Sequence, residues 1–304
     1  MSGGQAITAD FRCGYVALAG PPNVGKSTMM NALIGQRLSI VSPKSQTTRE
    51  RVGGILTGPD YQILFIDAPG LIEPTYALQT AMRQAADDAL EEADVIVFVA
   101  DGTRPDTFPG AGFRAALGER AVPVLVALNK RDLLDEPKLE AARARVEGDM
   151  AELIAVSSLT GDGLNDLLGW VVARLPHSPP LFPTDETATQ PVRFFVEEYV
   201  RETCMELLRE EVPYSIICRV EEFREAQQPI YVAVTIYVER ESQKGIVIGS
   251  GGSTIRDIGR RSREKIEALL NERVYLDLRV KVMAKWSRKR DRLKQLGFHL
   301  PSDG

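Results

Sequence analysis

Residues 20–27 read Gly20-Pro21-Pro22-Asn23-Val24-Gly25-Lys26-Ser27, a GxxxxGK[ST] pattern that follows the apolar run 15–19 (YVALA) and precedes a helical stretch over 28–33. A strand, a Gly-rich turn and a helix in that order form the context in which this motif cradles phosphates. The glycines let backbone amides curl around phosphate oxygens, Lys26 sits against the β and γ phosphates, and the Ser27 hydroxyl completes a Mg²⁺ ligand set. Gly20, Asn23, Val24, Gly25, Lys26, Ser27 and Thr28 are therefore the candidate phosphate contacts.

Outward from the loop, apolar runs at 61–66 (YQILFI), 95–100 (VIVFVA), 122–128 (VPVLVAL) and 153–156 (LIAV) alternate with helix-like stretches. Near-continuous apolar strands separated by helices predict a mostly parallel, doubly wound α/β sheet covered on both faces. The half-polar segment 51–57 reads as an edge strand. Residues 175–191 (LPHSPPLFPTDETATQP) show neither a strand nor a helix period and read as an interdomain linker. Beyond them the order changes to a helix over 192–209, strands at 215–223 and 229–238, a helix pair ending with 253–270, a strand at 274–282 and a basic helix at 288–296. The expected organisation is a tail over 1–9, a nucleotide-binding domain over 10–176, a linker over 177–190 and an α+β domain over 191–304.

The ends of the predicted strands carry further polar motifs. Asn129-Lys130-Arg131-Asp132 follows the run at 122–128, where a parallel sheet presents its ligand-binding edge. A carboxylate at Asp132 in a site of limited water access accepts two hydrogens from guanine; adenine lacks that donor pair. Asp67-Ala68-Pro69-Gly70 ends the run at 61–66, where Asp67 can hold Mg²⁺ through water and Gly70 can offer an amide to the γ phosphate. Gln46-Thr47-Thr48-Arg49 lies in the irregular stretch 38–49, where a threonine can offer its hydroxyl to Mg²⁺; both threonines qualify, and Thr48 is preferred. Ser157-Ser158-Leu159 follows the run at 153–156 and supplies a backbone amide for guanine O6. Leu71 stands just after Gly70, where many GTPases carry the glutamine that orients the attacking water, so slow intrinsic hydrolysis is expected.

The chain carries 37 Lys plus Arg against 42 Asp plus Glu, a net charge of −5 that on its own argues against a nucleic-acid partner. The charge is not evenly spread: residues 244–294 hold 15 Lys and Arg and 6 Asp and Glu, a net of +9, leaving −14 for the rest. Such asymmetry points to nucleic acid or an anionic surface. Inside the basic segment Ile248-Gly249-Ser250-Gly251-Gly252-Ser253 places GSGG between two helix candidates. This is the GXXG signature of a KH domain, whose loop clamps about four nucleotides of a single strand. Arg256, Arg260 and Arg261 follow it as candidate phosphate contacts. Residues 286–294 (WSRKRDRLK) suit RNA or an anionic membrane surface, and RNA is the favoured reading. The three cysteines, Cys13, Cys204 and Cys218, form no CxxC and are expected as reduced thiols of a cytoplasmic protein. No apolar run is long enough for a membrane span, and the first residues lack a signal-peptide layout.

GPPNVGKST, SQTTR, DAPGL and NKRD in this order, joined to the GSGG module, resemble the translation-factor-related GTPases and, within them, the bacterial ribosome-associated Era family, over nearly the full chain. The resemblance implies a P-loop GTPase domain followed by a type II KH domain, with Mg²⁺ and GTP or GDP bound through Lys26, Ser27, Thr48, Asp67, Gly70, Asn129, Lys130 and Asp132. It also implies that Asn23 holds a K⁺ ion that places positive charge on the developing phosphate oxygens. The expected partners are the 3′ end of small-subunit ribosomal RNA and the small ribosomal subunit. Weak peripheral association with the inner membrane is a further implication, and DNA is not expected. Two positions depart from the family's pattern: the fifth nucleotide element has Ser158 where Ala is usual, and Gly251 replaces the common lysine of GXXG. A different class of reading is a GTP-dependent signalling switch acting through a protein partner at the inner membrane.

Overall fold

Strands with no polar face form where both sides of a sheet are covered, and this governs the first half of the chain. The computed structural model describes residues 10–44, 46–110, 113, 117, 121–147 and 152–301. The chain folds as two units: one from Met1–Ser39, Thr48–Pro74 and Ala81–Thr189, the other from Ile40–Thr47, Thr75–Thr80 and Gln190–Gly304.

In the first unit β1 (Arg12–Ala19) leads through the phosphate-loop motif into α1 (Lys26–Ile34). There follow β2 (Val52–Thr57), β3 (Tyr61–Asp67), α2 (Ala77–Glu92, in this unit from Ala81 on), β4 (Val95–Asp101), β5 (Val124–Asn129), α3 (Glu136–Glu147), β6 (Leu153–Ala155) and α4 (Leu164–Val172). The sheet order is β2-β3-β1-β4-β5-β6, parallel except for β2, which runs antiparallel on the edge. Every residue of β4 is buried, as a central strand requires. Ala17, Ile96, Phe98, Val126 and Leu128 form one core cluster with Leu90, Leu139 and Ala142 from the helices. The strand order reverses between β1 and its neighbours β3 and β4, and the cleft at the carboxyl ends of these strands is where an open α/β sheet binds ligands.

The proline-rich stretch expected as a linker is docked along the first unit. Thr187 O accepts from Ile55 N at 2.9 Å and Thr189 N donates to Gly53 O at 3.1 Å. A Cβ on Gly53 would lie 2.3 Å from Thr189 Oγ1, so the glycine is what lets the segment approach β2. Gln62, fully buried in β3, accepts from Leu181 N at 2.8 Å and Phe182 N at 3.0 Å and donates to Phe182 O at 2.9 Å. Prolines have no N–H to donate, and the side chain that satisfies the remaining backbone groups lies about 120 positions earlier. No periodicity in residues 177–190 reports such bonds.

The second unit opens with α5 (Val192–Leu207), then β7 (Ile217–Arg224), β8 (Ile230–Val238), α6 (Glu241–Ile248), α7 (Ser253–Leu270), β9 (Val274–Val282) and α8 (Arg290–Gln295). Its sheet runs β7-β8-β9, with β7 antiparallel to β8 and β8 parallel to β9. A parallel pair needs a crossover, and α6 and α7 supply it. Val196, Val200 and Cys204 of α5 and Ile258 and Ile266 of α7 close over Val232, Val234 and Ile236 in a single core. The closing basic helix is shorter than the 288–296 expected, because Lys289 is extended and Leu296 leaves the helical conformation. Cys13, Cys204 and Cys218 are buried and unbridged. Among the described residues no helix is long and apolar enough to cross a membrane.

Replacing Gln62 with Leu would strand two partly buried N–H groups and one carbonyl, a loss of about 1–3 kcal/mol. Expected results are a lower denaturant midpoint for the first unit and faster proteolysis within residues 177–190. An unchanged midpoint would mean that the docking contributes nothing to stability.

Candidate functional site

β1 ends at Ala19, and the following loop turns back on itself through residues in the left-handed region: Gly20 at φ 134°, Asn23 at φ 63° and Gly25 at φ 100°. Glycine is required at two of these by packing as well as by φ. A Cβ on Gly20 would sit 2.3 Å from Val99 O, and one on Gly25 would sit 2.3 Å from Asn129 Nδ2. The loop is thus wedged between β4 and the end of β5, with its amides presented at the amino end of α1, where a helix favours anions.

Lys26 opens α1 and is only 6% exposed. Its Nζ donates to Gly20 O at 3.0 Å and Pro21 O at 2.9 Å, holding the ammonium under the loop. Burial lowers its pKa to about 8, against the opposing pull of the Asp67 carboxylate. Ser27 Oγ donates to Asp67 Oδ2 at 2.7 Å, Thr48 Oγ1 reaches the same oxygen at 3.3 Å, and the two hydroxyls stand 3.1 Å apart. Three oxygen-bearing side chains from α1, the segment before β2 and the end of β3 therefore converge. Of the two threonines it is Thr48 that meets Ser27 and Asp67. Asp67 is fully buried; burial raises its carboxyl above the ordinary range, while Lys26 and the hydrogen bonds from Ser27 and Thr48 pull it down. Asp67 Oδ1 is buried without a hydrogen-bond partner; Ser39 Oγ is close enough to favour the anion but makes no hydrogen bond to it. An orphaned carboxylate oxygen beside two hydroxyls is a hard-oxygen donor set that fits Mg²⁺.

Gly70 is pressed against the loop: a Cβ there would lie 2.7 Å from Pro22 N. Leu71 N donates to Gly20 O at 3.2 Å, and the Leu71 side chain packs against the core beneath. That packing accounts for an apolar residue where a water-orienting glutamine often stands.

A second cluster forms at the end of β5. Asn129 Nδ2 donates to Val24 O at 2.8 Å, while its Oδ1 accepts from Ser158 N and Ser158 Oγ, each at 2.9 Å. Asn129 thus ties the phosphate loop to the segment after β6. Ser157 Oγ donates to Asp132 Oδ1 at 2.6 Å, orienting the carboxylate. Asp132 is exposed, unlike the sheltered group expected, so nothing in the protein itself excludes water from its free oxygen. The Leu159 side chain is 80% exposed, which leaves only its backbone to act at the site. Lys130, at φ 64°, places Nζ 2.6 Å from Asp101 Oδ2. No sequence motif singles out Asp101. Burial pushes its carboxyl up, but hydrogen bonds from Lys130 and Thr103 outweigh that and hold it low. The one signal it offers is its place: it ends β4 in register with Asn129.

In the second unit GSGG links α6 to α7. Gly249, at φ 73°, could not carry a Cβ, which would lie 2.8 Å from Thr254 N. Gly251 and Gly252 also have positive φ, and space around Gly251 is open. Gly252 caps α7, so the first amides of an 18-residue helix face outward beside exposed Ser250 and Ser253. Ile248 is half-buried, and Ile246 nearby is half-exposed, offering apolar surface for a base. Arg256 lies next to the loop. Arg260 and Arg261 lie further along α7, in an open groove with Glu206 and Lys265, and Arg260 pairs with Glu264 at 3.3 Å.

Comparison with known proteins adds independent findings. The family described as "50S ribosome-binding GTPase" matches residues 15–130, and "KH domain" matches residues 211–287. GTPase Era of Carboxydothermus hydrogenoformans is 37% identical over 292 residues, covering 95% of this chain and 98% of that one. GTPase Era of Nostoc sp. is 39% identical over 297 residues, covering 96% and 91%. Among solved structures, a tyrosine-to-alanine variant of Aquifex aeolicus Era bound to GDP and AlF4⁻ superposes with a TM-score of 0.90 at 37% identity, covering 95% of this chain and all of that one. Era in complex with MgGDPNP and nucleotides 1506–1542 of 16S ribosomal RNA superposes with a TM-score of 0.88, at the same identity and coverage.

Phosphate bound against Lys26 restores the charged form that burial disfavours, so triphosphate binding takes up a proton where Lys26 is otherwise neutral. With a pKa of about 8, uptake is expected to be about 0.1 proton at pH 7 and about 0.8 at pH 8.5. Calorimetry of nucleotide binding in buffers of different ionisation enthalpy measures it; uptake that does not rise with pH would contradict the lowered pKa.

Proposed function

Because the chain belongs to the Era family of GTPases, we propose that it binds and hydrolyses GTP, grips the 3′ region of small-subunit ribosomal RNA and assists assembly of the small ribosomal subunit. The observation that carries this reading is the full-length likeness to an Era structure holding both MgGDPNP and 16S ribosomal RNA nucleotides. The geometry of both units supports it.

In the GTPase unit the loop amides and Lys26 receive the β and γ phosphates. Ser27 and Thr48 would offer hydroxyl oxygens to Mg²⁺, and Asp67, with its orphaned Oδ1, would support the ion. When bound, Mg²⁺ would supply charge that neutralises the phosphates. Gly70 brings its amide to the γ phosphate at a position where a side chain would collide with the loop. Asp132, oriented by Ser157, receives the donor edge of guanine, and the Ser158 segment, held by Asn129, faces the base. Exposed as Asp132 is, discrimination against adenine comes into force when the base itself covers the carboxylate. With Leu71 after Gly70 no side chain orients water from that position, so turnover is slow without further help. Asn23 is the residue of the loop assigned to K⁺, whose charge acts where phosphate oxygens become more negative.

In the KH unit the glycines of GSGG allow a nucleic-acid backbone to approach, and the amino end of α7 with Arg256 receives phosphate. The chain works in the cytoplasm.

GTP turnover is expected to be faster in KCl than in NaCl, and Asn23→Ala is expected to abolish the difference; equal turnover of the unaltered protein in both salts would remove K⁺ from the mechanism. The function as a whole is tested by pulldown of ribosomal RNA with sequencing of the protected fragment. Recovery of the small-subunit 3′ region is expected, lost on Gly249→Asp, Gly252→Asp. RNA affinity unaltered by that double change would refute the clamp.

A further inference from the structure

We infer that Asp101 is a positioning residue of the nucleotide site, which acts through Lys130 to set the turn that carries Asp132 and so the affinity for the guanine nucleoside; this rests on the guanine-nucleotide reading above. Asp101 ends β4 and is 1% exposed. Both oxygens of its carboxylate are taken up by the protein. Oδ1 accepts from Thr103 N at 3.0 Å and from Thr103 Oγ1 at 2.7 Å, and Oδ2 accepts from Lys130 Nζ at 2.6 Å. Arg104 is committed elsewhere, to Asp106 at 2.8 Å. A buried carboxylate engaged in this way acts on its lysine and not on a ligand.

The backbone of Lys130 shows what the anchor is for. Lys130 sits at φ 64° and ψ 36°, in the left-handed region that a residue with a Cβ rarely adopts. Such a conformation persists only where the surrounding groups over-determine it. This kink starts the 3₁₀ turn Arg131–Leu133, in which Asp132 stands, and Leu133 N closes the turn on Lys130 O at 3.0 Å. Arg131 N holds its other side, donating to Val156 O at 3.0 Å. Asp132 itself is exposed and accepts from Ser157 Oγ at 2.6 Å, so where its free oxygen points depends on the turn beneath it.

The anchor is itself fixed against β5. Gly102 N donates to Asn129 O at 2.9 Å, and a Cβ on Gly102 would lie 2.5 Å from Leu134 Cδ1 and 3.1 Å from Asn129 O, so the turn after β4 is packed directly on the end of β5 and the turn that follows it. Thr107 Oγ1 accepts from Asp101 N at 2.9 Å and donates to Arg104 O at 2.6 Å, which closes the same turn from its other end. A charge-assisted hydrogen bond on so rigid a base is about twice as strong as a neutral one. The ammonium of Lys130 is therefore neutralised by Asp101, and its contribution to nucleotide binding is the geometry of the turn and not a free positive charge.

The test is a double-mutant cycle of Asp101→Asn with Lys130→Met in the full chain, read as GDP affinity by calorimetry, with thermal unfolding to show that each variant is folded. Asp101→Asn is expected to weaken GDP binding about tenfold, the scale of one hydrogen bond to a charged group. In the Lys130→Met background the same change is expected to cost less than about twofold, because its partner is already gone. Thr103 is exposed, so Thr103→Val removes one donor to Oδ1 without touching the core. It is expected to weaken GDP binding by a smaller factor, again only where Lys130 is present, and it carries the test if Asp101→Asn does not fold. Equal losses with and without Lys130 would overturn the inference and leave Asp101 as a cap of its own turn. GDP affinity unchanged in a folded Asp101→Asn protein would overturn it as well. If the unaltered protein bound no GDP, the guanine-nucleotide reading itself would fall.

Discussion

The first unit is organised around a charge problem: Lys26 and Asp67 are both buried at the end of the sheet. The ammonium is held on two loop carbonyls, and one carboxylate oxygen has no hydrogen-bond partner. Burying charges without full compensation is costly, and the fold tolerates it only because the surrounding packing over-determines the positions of both groups. β1 and β3 pair in parallel with Leu18 opposite Asp67, which sets the loop and the carboxylate side by side. On the function proposed above, a nucleotide with Mg²⁺ would supply the opposite charge to each.

From that centre the remaining geometry follows by packing. Gly25 makes room for Asn129, whose amide links the phosphate loop to the Ser158 segment. Asp101 fixes Lys130 at the next strand end. A parallel sheet offers these residues from separate strands at one edge, so chemistry distributed from residue 20 to residue 158 meets in one cleft. In the second unit the strategy differs. The apolar faces of α5 and α7 and one sheet face are committed to a shared core, and charge accumulates on what is left exposed.

Much of the fold is legible in the sequence because its signals are local. The runs at 61–66, 95–100 and 153–156 correspond to strands within a residue or so, and α7 and β9 have the bounds that their periodicity predicts. β1 extends further toward the amino terminus than its apolar run, because Arg12 pairs opposite Tyr61 and polar residues can take part in a ladder. The docked proline-rich stretch reads as a linker from its own residues because its partners are Gln62 and β2, more than a hundred residues away. Asp101 escapes notice because a carboxylate at a strand end resembles any loop acid until the neighbouring lysine is seen to reach it.

The amino-acid sequence alone determined the family, the order of the elements and the motifs expected to touch nucleotide, because each depends on residue types at short spacing. The split of a −5 chain into a +9 segment and a −14 remainder was also there to be counted. Only the tertiary structure decided that Thr48 is the threonine that meets Ser27 and Asp67, that Asp132 stands exposed, and which of the many cations are already neutralised. Those facts depend on distances between residues far apart in the chain, and such distances exist only once the backbone has closed on itself.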